Sequence, residues 1–167
     1  MSACKRTNRS DAQHHDDEEL KEFADKHLPY ELRMLRVQVE CWANRGDRSD
    51  PSVDALLEAS LVHIRLLNDF LCKKPERDDV GAYHFAISWQ VDQHSVLDCE
   101  QRDKVNAQLF QLPIRRQISH QWGLPELMHQ VCSVFCDFIA QADDKWKQAL
   151  EPAHHQAQLG LDLVIAP

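Results

Sequence analysis

VDALLEASLVHIRLLNDFLCK, Val53 to Lys73, decides the fold class. Leu56, Leu57, Leu61, Ile64, Leu67 and Leu71 recur at three- and four-residue steps, the period of an α-helix with one face against a core. Glu58, His63, Arg65 and Asp69 are interspersed among them, so the helix is too polar to cross a bilayer and its polar members need partners. His63 and Arg65, two positions apart, point roughly 200° away from one another and cannot both serve one small site.

Upstream, NRGDRSDPS, Asn44 to Ser52, gathers Gly, Asp, Ser and Pro into a loop. Before it the spacing predicts a long helix opening at Asp17 on acidic residues that suit a helix N-terminus. Leu20, Phe23, His27, Tyr30, Met34, Val37 and Cys41 form one stripe, and Leu28, Leu32, Leu35, Val39 and Trp42 a second. A helix apolar over so wide an arc is expected to be covered by more than one neighbour. Pro29 is expected to kink it. Residues 1–16 carry no hydrophobic period and read as a disordered leader.

Downstream, Val80 to Leu97 fits neither helical nor strand period and reads as a connection with short helical pieces. Asp98 to Leu112 forms a third helix, which Pro113 ends or bends. After Gly123, Pro125 suits the opening turn of a last helix that buries Leu127, Val131, Val134, Phe135, Phe138, Ile139 and Trp146. Pro152 is expected to close it, leaving residues 152–167 as a tail docked on a domain spanning 17–151. The expected architecture is all-α, an up-and-down bundle of about four main helices.

Composition agrees: 167 residues suffice for one domain with a real core, and 4 glycines with 7% aromatics are too few for a turn-rich β-sandwich. A net charge of −8 opposes non-specific binding to polyanions. No Gly-rich phosphate loop, nucleophile elbow or Cys–His arrangement stands out. The six cysteines lie mostly in apolar runs and read as reduced thiols of a cytoplasmic protein. Cys132 and Cys136 share a face without a second metal-ligating pair, and Pro152 spoils the Glu151–His154 counterpart of Glu126–His129, so neither metal nor cofactor is expected.

LLEASLVHIRLLNDFL, Leu56 to Leu71, resembles a helix of a group of bacterial helical proteins, with its Leu-Leu-Glu start, a His, an Arg two later and an Asp-Phe-Leu ending. Asp78 to Val80, and VNAQLFQL from Val105 to Leu112 followed by Arg115 and Arg116, continue the likeness, which covers roughly Leu20 to Ile139. That group is similar in organisation to HEPN-like domains, helical folds that include metal-independent ribonucleases of toxin and antiviral systems. Their signature is an Arg, a polar residue, and a His after four to six positions. Aligned on Lys104, this chain keeps Asn106 but has Lys for the Arg and Gln111 for the His. In a second register Arg115, Arg116 and His120 satisfy the spacing.

Two functions follow. The first is a non-catalytic binding module that engages a protein partner or a second copy, with Glu58, His63, Arg65, Asp69 and Asn106 as its polar core or binding set. The second is a metal-independent ribonuclease: His120 takes the proton of a ribose 2′-OH while Arg115 or Arg116 neutralises the developing phosphorane charge. Alternatively the two arginines answer the carboxylates of Glu58 and Asp69. The degraded Lys104 register favours the binding module, RNA remains a possible partner, and membrane association is not expected.

Overall fold

A computed structural model describes residues 15–47, 49–74, 79–91, 96–110 and 122–163, and among them every regular element is helical. The protein is all-α. Its first helix begins with a capping box: the Asp16 carboxylate accepts from the Glu18 and Glu19 N–H groups at 2.9 and 2.8 Å, and Glu19 accepts from the Asp16 N–H at 3.2 Å. Helix α1 (Asp17–Glu22) runs into a π-helical turn (Phe23–His27) and on into α2 (Leu28–Ala43).

Pro29 explains that turn. It has no N–H for the Asp25 carbonyl, and in a regular α-turn its ring would crowd that carbonyl. The chain widens instead, with the Leu28 N–H bonded to the Phe23 carbonyl five residues back. Where the sequence predicts a kink, the structure has a wide turn. It also keeps Leu20, Ala24, Leu28 and Leu32 on one buried side, although successive four-residue steps on a regular α-helix drift by about 40° each.

Helix α3 (Pro51–Cys72) starts at Asp50, whose carboxylate accepts from the Ser52 N–H at 2.8 Å. It runs antiparallel to α2: Phe23 meets Phe70 with ring centroids 6.0 Å apart, and Glu31 meets His63. Helix α4 (Cys99–Phe110), opened by reciprocal Asp98–Gln101 bonds of 2.7 and 3.0 Å, packs chiefly on α3.

The expected single last helix is two. Ala142 and Asp143 are extended, so α5 (Leu124–Gln141) ends there and α6 (Asp144–Leu161) turns back along it. Neither Gly nor Pro marks this turn, and the Phe85 carbonyl pins it by accepting from the Asp143 N–H at 2.8 Å. The stretch expected as a tail from residue 152 is helical to Leu161, because α6 continues through Pro152. Tertiary packing carries it: Ala149, Ala153, Ala157 and Gly160 form a buried side of small residues. A Cβ on Gly160 would come within 2.6 Å of Cys132 Sγ, so the α5–α6 crossing requires glycine there.

Helices α2, α3, α5 and α6 contact one another in a ring around the core. The expected connection after α3 is part of that core: Phe85, Ala86, Trp89, Val96 and Leu97 are buried, and the Trp89 indole N–H donates to the Leu71 carbonyl at 2.7 Å, satisfying an acceptor at the end of α3. Phe70, Phe85, Trp89, Phe138 and Trp146 meet edge-on or tilted at 5.4–6.4 Å, which ties α3, the connection, α5 and α6 into one aromatic cluster.

Candidate functional site

Helix α3 carries the polar residues singled out in the sequence, and the structure distributes them to two neighbours. His63 faces α2. Its Nδ1 donates to Glu31 Oε2 at 2.5 Å, a carboxylate being able only to accept, and its Nε2 lies 3.4 Å from the Gln38 amide nitrogen, which donates to it. His63 is 9% exposed and Glu31 is half-buried, so the pair is a part-buried seam between the two helices. Glu31 and Gln38 were not legible as its partners, since only the packing of α2 on α3 brings residues 25 to 32 positions apart together.

Arg65 faces the other way, toward α4. Its guanidinium donates to Asn106 Oδ1 at 2.7 Å, and its Nε stands 3.1 Å from Asp69 Oδ1 as an ion pair without hydrogen-bond alignment. Glu58 is half-buried on the same side of α3, seven positions before Arg65. Asn68, between the two seams, accepts from the Leu97 N–H at 3.1 Å and holds the end of the connection. Lys104 points to solvent and is paired with Glu100 at 2.6 Å. Arg115, Arg116 and His120 lie outside the described residues, as does Gln111.

Among the described residues, this arrangement ties α3 to α2 through His63 and to α4 through Arg65. His63 is oriented by a carboxylate as an acid–base catalyst would be, but its second nitrogen is turned to an amide inside the protein. The Cys132 thiol is buried and pushed up to about 12 by desolvation, which keeps it protonated and poorly nucleophilic. Among the described residues no three His, Cys, Asp or Glu side chains converge as a cation cage, and no helix is long and apolar enough to cross a membrane. His129 of the Glu126–His129 pair donates to the Leu163 carbonyl at 3.3 Å.

A third side of α3 faces neither seam. Val62 and Leu66 are 39% and 50% exposed, with Ala55 and Ala59 continuing the stripe. On α2, Tyr30 and Val37 are 46% and 37% exposed and Cys41 is exposed too. As expected, α2 is covered by more than one neighbour: α3, α5 and α6 pack on it and bury Leu28, Leu32, Leu35, Val39 and Trp42, while within the other stripe Leu20 is buried, Phe23 packs on the core, and Tyr30, Val37 and Cys41 stay exposed. The Tyr30 ring stands edge-on to His63 at 6.3 Å, which places it beside the seam where α2 meets α3. At one end lies a groove of about 460 Å³ whose lining mixes Phe23, Leu66 and Phe70 with the charged Glu31, Asp69 and Lys73. The α3 stripe was readable as helical spacing on the side away from Leu57, Leu61 and Ile64, but nothing in the sequence says which apolar positions go uncovered. Compared with protein-family models, with curated proteins and with solved structures, the chain gives no match.

Proposed function

We propose that this chain is a non-catalytic interaction module that engages another protein chain through the α2–α3 face. The observation that carries the reading is the exposure of Tyr30 and Val37 on α2 and of Val62 and Leu66 on α3, two helices packed against each other. Contiguous apolar surface on a monomer marks a contact site, whereas single exposed apolar residues do not. The polar residues beneath it support the same reading, because Glu31–His63 and Arg65–Asn106 are engaged within the protein and hold the two helices in place.

A photo-crosslinking amino acid at Leu66, with one at exposed Asp103 on α4 as control, tests this in the cells that make the protein. A discrete crosslinked chain from position 66 and none from 103 is expected; equal crosslinking from both, or none from 66, overturns the reading. The ribonuclease alternative is favoured by the spacing of Arg115, Arg116 and His120 in the sequence. Cleavage of an RNA pool in excess EDTA by the wild type, absent in a folded His120→Ala variant, would replace the interaction reading with it.

A further inference from the structure

We draw no further inference here: the strongest candidate, the groove at one end of the α2–α3 face, has its carboxylates already engaged within the protein, Glu31 with His63 and Asp69 with Arg65, and nothing in the structure shows what covers it.

Discussion

His63 and Arg65 are two residues apart on α3, and they do different work. His63 is buried between α3 and α2, with its partner Glu31 reaching the edge of the seam, and apolar packing there is dense, so the polar pair adds to a contact that burial already makes. Arg65 is half-buried and reaches α4, a helix with fewer buried residues, so the Asn106 bond is a larger share of what holds α4 down. The same residue chemistry thus has opposite sensitivities: a polar group in a dry seam is costly to orphan, and a polar group at a wet edge is cheap to lose but decides local order.

The largest effect is expected at the dry seam. Glu31→Ala leaves a buried imidazole N–H without its acceptor and should destabilise the fold by about 2 kcal/mol. Glu31→Ala combined with His63→Ala should cost less than the two changes summed, with a coupling of about 1–2 kcal/mol by denaturant melts. Additive losses would mean that the pair does not interact in solution and that α2 and α3 are joined by apolar packing alone.

At the wet edge Arg65→Ala should cost about 1 kcal/mol, because ion pairs at half-exposed positions are weakened by solvent. Its signature is local. Hydrogen exchange of the α4 amides should accelerate while α2, α5 and α6 are unchanged, and Asn106→Ala should reproduce the pattern. Acceleration spread evenly over the molecule would place Arg65 in the global fold and erase the difference from His63. Raising salt to about 1 M should mimic part of the Arg65→Ala effect, since screening acts on solvent-facing charge.

How far the sequence reached follows the same division. The helix of Val53 to Lys73 was legible because its period is long, although its start at Pro51, capped by Asp50, falls inside the stretch that the sequence reads as a loop. The split of α5 from α6 was not, because Ala142 and Asp143 carry no local breaker and the turn is fixed by a bond from the distant Phe85 carbonyl. Pro152 misled in the opposite sense: a side of small residues packed on its neighbours keeps α6 helical where local propensity ends it. At the candidate site, His63, Arg65, Asp69 and Asn106 were visible as residues needing partners. Glu31 and Gln38 were not, since partnership across helices is a property of register. Apolar periodicity likewise records which side of α2 is hydrophobic and not whether anything covers it.

Leu66 belongs to neither seam, and it should separate folding from docking most sharply. A Leu half in water contributes little to the core, and replacing it at a helix surface position ordinarily changes stability by no more than about 0.5 kcal/mol. For a chain of this size that is a shift in Tm of about 1–2 °C. The comparison is made on the purified chain by itself, so that a partner binding only the folded state does not raise the wild-type Tm. Near-equal melting of wild type and Leu66→Asp is the expected result. A loss of several degrees would instead make Leu66 a folding residue, and the open face would then be part of how this chain holds itself together.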